Sequence, residues 1–351
     1  MGDETMFLAK SPLYPMSKYV REMRPELDPK VFEPARSRVA LVPIHLAVIA
    51  SLTVVIASGW VPWPVVPLLS IVIGISFGCL TFIGHEALHG GIVRGKIAKH
   101  VVGWIGFVPF VLSPRLWVAW HDRVHHANAN LPEDPDMYPS LDKYRANRRM
   151  RLAVNWFSLG GRRWRGALSL ILGFTVQSAN QLIGATEKGF LSRRQHRLAI
   201  AETALAVSVW AAVAALVGFV PFLFVFVMPL LIANVIVMSF ILTNHSLSPM
   251  IAINDPVISG LSVTAPRWME ILTLRFGFHV EHHLFPAMSS RHAPAVRDLI
   301  RLRWPERYQS MSLVSAVRAL HRTGRVYKDA VTLVDPRSGR EFPTLMPRPV
   351  S

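Results

Sequence analysis

Residues 64–90 read PVVPLLSIVIGISFGCLTFIGHEALHG, and this stretch contains both features that decide the fold. Residues 64–84 have no charged side chain and are long enough to cross a bilayer, which takes about 20 apolar residues. Two histidines follow directly, at positions 85 and 89. The stretch therefore predicts a membrane-spanning helix with a pair of imidazoles at its end.

Three further stretches are apolar enough to span a bilayer, at about 39–60, 198–220 and 222–243. The turns that join spans one and two, and spans three and four, have no charge, whereas the other connecting segments are rich in Arg and Lys. Positive charge stays on the cytoplasmic side of a membrane. The sequence thus predicts an all-α, multi-pass integral membrane protein with four transmembrane helices in two hairpins and both termini cytoplasmic.

The composition agrees with this class of protein. The 351 residues are 51% hydrophobic and have a formal net charge of +16. Basic loops between spans explain that charge better than binding to nucleic acid. Cys79 is the single cysteine, so the chain cannot hold an intrachain disulfide or a cysteine-ligated Fe–S cluster. We divide it into a cytoplasmic N-terminal segment (1–38), a membrane domain (39–290) and a cytoplasmic C-terminal segment (291–351).

Two shorter apolar stretches lie between the predicted hairpins, at 101–113 and 165–184. We expect interfacial or re-entrant helices there, with a pair of extra spans as the open alternative. Residues 333–351 predict an irregular tail. Four tryptophans are expected to anchor the protein at the membrane interface, namely Trp104, Trp117, Trp120 and Trp268.

Nine of the 14 histidines fall into four short clusters, which are His85 and His89, then His121, His125 and His126, then His245, and finally His279, His282 and His283. Residues three and four apart share a helix face. We therefore expect His85 and His89 to point at one metal, His121 and His125 to share a face, and the last three to converge on one side. His126 is rotated by about 100° from His125, which suits a ligand of a second metal.

The number of histidines indicates two metal ions. Nine imidazoles exceed what one ion binds, since a zinc site takes four ligands, and two ions with four or five nitrogens each fit the count. Two predicted spans end beside His85 and His245, and the other clusters lie in cytoplasmic segments. All nine rings can therefore meet in a cytoplasmic helical cap that holds a dimetal site.

Two other kinds of metal protein are possible. The sequence HEALHG matches H-E-x-x-H, the zinc protease motif in which the Glu is the general base, and Asp255 would then be a third ligand. An intramembrane zinc protease leaves the other histidine clusters unexplained. A metal transporter needs ionisable ligands at mid-bilayer depth, where the spans offer only His45 and Glu202.

The succession H-x-x-x-H, H-x-x-x-H-H and H-x-x-H-H around two hairpins resembles the histidine boxes of the membrane fatty acid desaturases, over about residues 40–290. The resemblance implies two non-haem iron ions, O₂ as co-substrate and a lipid acyl chain as substrate. It implies that the eight box histidines bind iron, with His245 as a further ligand and Asn244 as a candidate near the metals. Hydroxylases, ketolases and decarboxylases of the same superfamily are the alternatives to desaturation.

Metal-bound histidine usually donates its second ring nitrogen to a carboxylate or carbonyl. The candidate carboxylates are Glu86, Asp122, Asp134, Asp136 and Glu281. Candidates to line an acyl tunnel, against simple packing, are Phe82, Phe278, Phe285 and Met288. The sequence has no haem, Fe–S or dinucleotide-binding motif. We therefore expect an external electron donor, a ferredoxin, rubredoxin or cytochrome b5 with its reductase, and the Arg-rich stretch 145–165 could bind that donor or anionic membrane lipids.

Overall fold

The computed structural model describes residues 12–347, so the beginning of the N-terminal segment and residues 348–351 of the expected tail lie outside the described residues. The fold is mainly helical. Its helices, numbered in chain order, are α1 (Met16–Met23), α2 (Leu41–Ser58), α3 (Val66–His89), α4 (Lys96–Phe107), α5 (Pro114–Asn128), α6 (Leu141–Ala146), α7 (Arg148–Phe157), α8 (Ala167–Ile183), α9 (Arg193–Val217), α10 (Phe219–His245), α11 (Pro256–Ser259), α12 (Arg267–Leu272), α13 (His279–Leu284), α14 (Ala293–Arg303) and α15 (Leu313–Arg322).

Four helical stretches of the described chain are long and apolar enough to cross a membrane, namely Pro29–Ser58, Trp63–His89, Arg193–Val217 and Phe219–His245. The expectation of four long apolar helices is thereby confirmed, while the hairpin arrangement and the side of the membrane stay predictions. The second stretch extends beyond the predicted end at 84, because the HEALH sequence continues the helix. Gly90, with a φ of 98°, then ends it in a left-handed cap.

Glycines let α4 pack closely against α3. A Cβ atom on Gly106 would lie 2.5 Å from the carbonyl oxygen of Leu80 and 2.7 Å from Cα of Gly84. The predicted 101–113 element forms the second half of α4 and the break after it, where the chain turns by 102° into α5. This bend directs the second histidine box on α5 toward the end of α3.

A carboxylate on α9 holds the bend between α4 and α5. Glu202 accepts a hydrogen bond from Ser113 Oγ at 2.6 Å and forms an ion pair with Arg115 at 3.0 Å. Ser113 also caps the N-terminus of α5 by accepting from the backbone N–H of Leu116. The carboxylate of Glu202 therefore holds α5, the helix that carries His121, His125 and His126.

The other predicted short element, 165–184, forms α8, which packs along α10.

The strands are short and lie outside the long helices. Strands β1 (Ser262–Thr264) and β2 (Ser310–Ser312) pair in parallel, and β3 (Val326–Tyr327), β4 (Thr332–Val334) and β5 (Glu341–Pro343) form an antiparallel sheet. The expectation of an irregular tail from residue 333 is therefore wrong for β4 and β5. Pro336 and Gly339 lie in the turn between these two strands, where Gly339 has a φ of 70°.

The N- and C-terminal segments pack together beside α13, which carries the last histidine box. Tyr19 of α1, Val280 of α13 and Trp304 after α14 belong to one buried hydrophobic cluster. Next to this cluster, the buried Asp255 and Arg307 form an ion pair of 2.6 Å. The two terminal segments thus share a hydrophobic core with residues that the sequence assigned to the membrane domain (39–290).

Candidate metal centre

The structure brings the nine clustered histidines together in two groups. In the first group, one ring nitrogen from each of four histidines lies within 4.8 Å of the others, and these are His85, His89, His121 and His282. The second group has the same spacing and consists of His125, His245, His279 and His283. His126 joins the first group, because its Nε2 lies 3.2 Å from Nε2 of His282.

The distances between nitrogens suit metal binding. Two nitrogens that bind one ion at about 2.1 Å lie about 3.0 Å apart at a right angle and about 3.4 Å apart at a tetrahedral angle. Nε2 of His245 lies 3.2 Å from Nε2 of His283 and 2.6 Å from Nε2 of His279. The second group therefore already has nearly the spacing that a shared ion would impose.

The grouping agrees with the helical-face expectation at one box and differs from it at another. His121 and His125 lie on one face, since their rings stack at 5.0 Å and both come within 4.8 Å of a carboxylate oxygen of Asp136, although His121 also belongs to the first group and His125 to the second. His279, His282 and His283 do not converge on one side. His279 and His283, one turn apart, belong to the second group, whereas His282 is turned by about 100° from His283 and belongs to the first.

Three rings are oriented by an acceptor at Nδ1. His89 donates to Asp122 at 2.9 Å, His125 donates to Asp134 at 2.9 Å, and His245 donates to the carbonyl oxygen of Ser259 at 2.9 Å. A proton held on Nδ1 leaves the lone pair on Nε2. A neutral ring so oriented presents Nε2 to a metal, and at His125, where Asp134 outweighs burial and raises the pKa to about 9, metal binding would release a proton.

Asn244 lies against the ring of His279. Its side-chain amide is 2.9 Å from His279 Nδ1, and Oδ1 of that amide has no other partner. The amide orientation that presents Oδ1 accepts the proton of Nδ1 and frees Nε2 of His279. Asn244 is therefore placed to orient a histidine.

Several ring nitrogens are buried without a hydrogen-bond partner in the described structure. They include Nε2 of His85, His89 and His121. Burial also lowers the pKa of His279, His282 and His283 well below its ordinary value, so these rings are neutral and carry a free lone pair. Neutral imidazoles with unpartnered nitrogens fit a metal, since iron, zinc and copper all accept such ligands.

The aspartates after the second box behave differently from one another. Asp134 is buried, and the nearby His125 lowers its pKa although burial alone raises it. Burial raises the pKa of Asp136 to about 6. Asp136 accepts hydrogen bonds from Trp120 Nε1 at 2.9 Å and Gln177 Nε2 at 2.7 Å. It lies 3.7 Å from Nδ1 of His125 and borders the cavity described below.

The other two candidate carboxylates have partners away from the histidine rings. Glu86 binds Arg38 and accepts from Ser289 Oγ at 2.6 Å, and Glu281 accepts from Ser262 Oγ at 2.6 Å and from Tyr308. They tie the first and last boxes to neighbouring segments of the chain.

These contacts bear on the zinc protease alternative. Its general base would be Glu86, which is occupied by Arg38 and two serines. Its third ligand, Asp255, pairs with Arg307 and accepts from Tyr19 at 3.0 Å. Neither carboxylate belongs to a group of possible metal ligands in residues 12–347.

An apolar cavity extends from both histidine groups between α3, α8 and α10. His85, His121, His125, His245 and His279 border one end, and the remaining walls include Phe82, Phe107, Phe174, Met238 and Ile241. Of the other tunnel candidates, Phe278 and Met288 border a smaller cavity behind His85, while Phe285 packs on Phe32 at 5.5 Å.

Trp117 and Trp120 are each 2% exposed, so the prediction that they anchor the protein at the membrane interface is wrong. The Trp117 ring lies 4.6 Å from the ring of His121 and 5.0 Å from that of His89. The sequence did contain a signal for this burial. Trp120 and Trp117 lie one and four residues before His121, and residues within one helical turn of a ligand share its surroundings.

Comparison with known proteins agrees with this geometry. The family model for fatty acid desaturase matches residues 58–315. The omega-6 fatty acid desaturase, chloroplastic, of Arabidopsis thaliana is 25% identical over 254 residues, which are 69% of this chain and 55% of that protein. The sn-1 oleoyl-lipid 12-desaturase of Synechocystis sp. is 22% identical over 264 residues, covering 70% of this chain and 71% of that protein. The chain thus spans about half the length of the plant relatives. Because the family match covers most of the chain, it belongs to the fatty acid desaturase family.

Proposed function

We propose that this protein is a membrane-bound, O₂-dependent di-iron desaturase that introduces a C=C bond into the acyl chain of a lipid. The observation that carries the proposal is the pair of buried imidazole groups with unpartnered nitrogens at one end of an apolar cavity. The names of the relatives, which describe desaturases of fatty acids and of an oleoyl lipid, support the same chemistry.

The nine histidines would hold the two ions. His85, His89, His121, His126 and His282 would bind one, and His125, His245, His279 and His283 the other. Iron so bound supplies the activation of O₂ that cleavage of an unactivated C–H bond requires. In the balanced reaction, –CH₂–CH₂– and O₂, with two electrons and two protons, give –CH=CH– and two waters. The two electrons come from an external ferredoxin, rubredoxin or cytochrome b5.

The chain's own contribution is to position the acyl chain and to exclude water. Phe174, Met238 and Ile241 give the cavity apolar walls, and histidines of both groups border one end of it. Two neighbouring methylene groups placed there would face both metals. Apolar walls also keep bulk water from the reacting carbons, which protects the reaction from side products.

The proposed orientation places both termini and the metal centre on the cytoplasmic side. It rests on the excess of Arg and Lys outside the uncharged turns. The same side is the one that a soluble electron donor can reach.

The test combines metal analysis with lipid profiling. Purified protein is expected to contain about two irons per chain, as the ligand count requires. Cells that express it with a ferredoxin and its reductase should gain lipids lighter by two hydrogens, detected by mass spectrometry. His283→Ala should abolish this product while the protein still inserts into the membrane. His321→Ala, which changes a histidine of α15 outside both groups, should leave it unchanged.

Other products or metals would overturn the proposal. One zinc and no iron would indicate a hydrolase, and hydroxylated lipids, ketones or terminal alkenes would assign another reaction of the superfamily. Normal turnover by His283→Ala would contradict the metal site.

A further inference from the structure

A third cavity, of about 290 Å³, lies between α3 and α10 on the side of α12. Its walls are formed by Ile75, Cys79, Phe82, Val235, Ile236, Ser239, Phe240, Trp268, Met269, Leu272, Thr273 and Leu313. The first three are spaced four and three residues apart and so share one face of α3. The cavity is therefore a groove between two of the four long apolar helices.

Hydrocarbon is the ligand chemistry that this cavity suits. The hydroxyl of Ser239 donates to the carbonyl oxygen of Val235 at 2.6 Å, and that of Thr273 donates to Met269 at 2.9 Å. These two wall hydroxyls are thus occupied by their own helices. No charged side chain borders the cavity among the described residues.

The cavity opens toward the apolar outer surface. Val235 is 38% exposed on α10, and Trp268 of α12 is 61% exposed at the same opening. Ile271, also on α12, is 63% exposed. Apolar side chains so exposed on and beside candidate spans face lipid, and the exposed tryptophan is typical of headgroup depth. Arg267, next to Trp268, adds an exposed positive charge where a lipid phosphate would lie.

One aromatic side chain separates this cavity from the histidine-lined one. Phe82 borders both cavities. Its ring lies 4.6 Å from that of Phe276 and 5.8 Å from that of Phe240. Phe276 in turn lies 4.9 Å from the ring of His85. A change of rotamer at Phe82 is therefore the movement that would join the lipid-facing cavity to the metal centre.

We propose that this third cavity is a lateral portal through which the acyl chain of a bilayer glycerolipid enters, and that Phe82 is its gate. This inference rests on the proposed function for the purpose of the portal, but binding of a lipid chain there can be measured without turnover. The occupant is a membrane lipid because the opening lies between spans. An acyl chain also moves from bilayer to apolar cavity at little cost, since lipid tails are as apolar as the walls.

The test is photocrosslinking in phosphatidylcholine nanodiscs that contain a phosphatidylcholine with a diazirine near the end of one acyl chain. Peptide mass spectrometry should find adducts on the portal walls, such as Ile75 and Ile236, and on inner walls, such as Phe174. Ser239→Trp should reduce portal adducts roughly tenfold, because the indole occupies the space of the chain. Ser208→Trp is the matched control and should have no effect, since Ser208 also donates to a carbonyl four residues earlier but lies exposed on α9.

A second variant tests the gate. Phe82→Trp should leave portal adducts unchanged and reduce inner-cavity adducts roughly tenfold, because the larger ring blocks passage. Unchanged inner adducts would overturn the role of Phe82. Adducts that are absent from the portal, or that form there only with a diazirine acyl-CoA, would overturn the portal itself.

The portal and the proposed function fail separately. The inactive His283→Ala should form portal adducts as the wild type does, because it retains every wall residue. Desaturation that persists in Ser239→Trp without portal adducts would refute the portal and leave the proposed function standing. Portal adducts in a protein that makes no unsaturated lipid would refute the function alone.

Discussion

Asp134→Asn tests whether a buried carboxylate keeps the second imidazole group ready for metal. The Asp134 side chain has no exposure, and three donors converge on it. These are Nδ1 of His125 at 2.9 Å and the backbone N–H groups of Asn130 and Asp136, each at 2.9 Å. An asparagine has the same shape but replaces one accepting oxygen by an NH₂ group. At least one buried N–H must then face another donor.

The expected loss of metal affinity follows from these contacts. Removing a partner that orients a metal-bound histidine costs 10–100-fold in affinity, or about 1.4–2.7 kcal/mol. We place Asp134→Asn near the upper limit, because a buried donor without an acceptor costs about 1–3 kcal/mol. Asp122→Asn, the corresponding change at His89, should cost about tenfold or less. Its side chain is 35% exposed, so water can replace the lost acceptor.

The assay is iron content after dialysis against increasing chelator, with thermal unfolding as the control for folding. Asp134→Asn should lose about one of two irons at chelator concentrations that leave the wild type and Asp122→Asn loaded. Full retention of both irons in a folded Asp134→Asn protein would refute the idea that this carboxylate orients His125. So would a greater loss in Asp122→Asn.

Two changes outside the metal centre test how the fold presents it. Gly106→Ala should lower the free energy of unfolding by about 1–3 kcal/mol, since its Cβ would meet the backbone of α3 at 2.5 Å. Gly95→Ala, whose Cβ would approach no atom closer than 3.9 Å, should be near neutral in the same thermal-unfolding assay. Glu202→Ala should lower stability by about 1–3 kcal/mol by removing the partner of Ser113 and Arg115. Unchanged melting temperatures would contradict the respective contact.

The long helices could be predicted from the sequence because burial in lipid demands uninterrupted apolar residues. Their ends could not be predicted as well. Hydropathy falls at residue 84, but hydrogen bonding carries α3 on to His89. The β4–β5 hairpin was missed because its strands are three residues long and its stability comes from contacts distant in sequence, such as the burial of Leu333.

The site shows the same limit. The histidine spacing indicated which residues gather, because two of the clusters lie at the ends of adjacent long helices and are brought together when those helices pack. It did not indicate that α5 is π-helical from Val118 to His125, nor that His121 and His125, whose rings stack at 5.0 Å, belong to different groups of four. The sequence also did not indicate which of the candidate carboxylates contact a histidine ring. Asp122 reaches the ring of His89 on α3 and Asp134 reaches that of His125 across a short loop, whereas Glu86 and Glu281 bind serines of neighbouring segments.

The two adjacent histidine pairs explain why the centre takes the form of two groups. Neighbouring residues on a helix point about 100° apart, so two adjacent imidazoles cannot easily bind the same ion. His125 and His126 divide between the groups, and so do His282 and His283. The rings of His126 and His283 stack at 4.2 Å where the groups meet. Each pair thereby fixes one ion relative to the other through a rigid helix. A doubled histidine is thus a signal for two linked metal sites, whereas a single H-x-x-x-H would be satisfied by one.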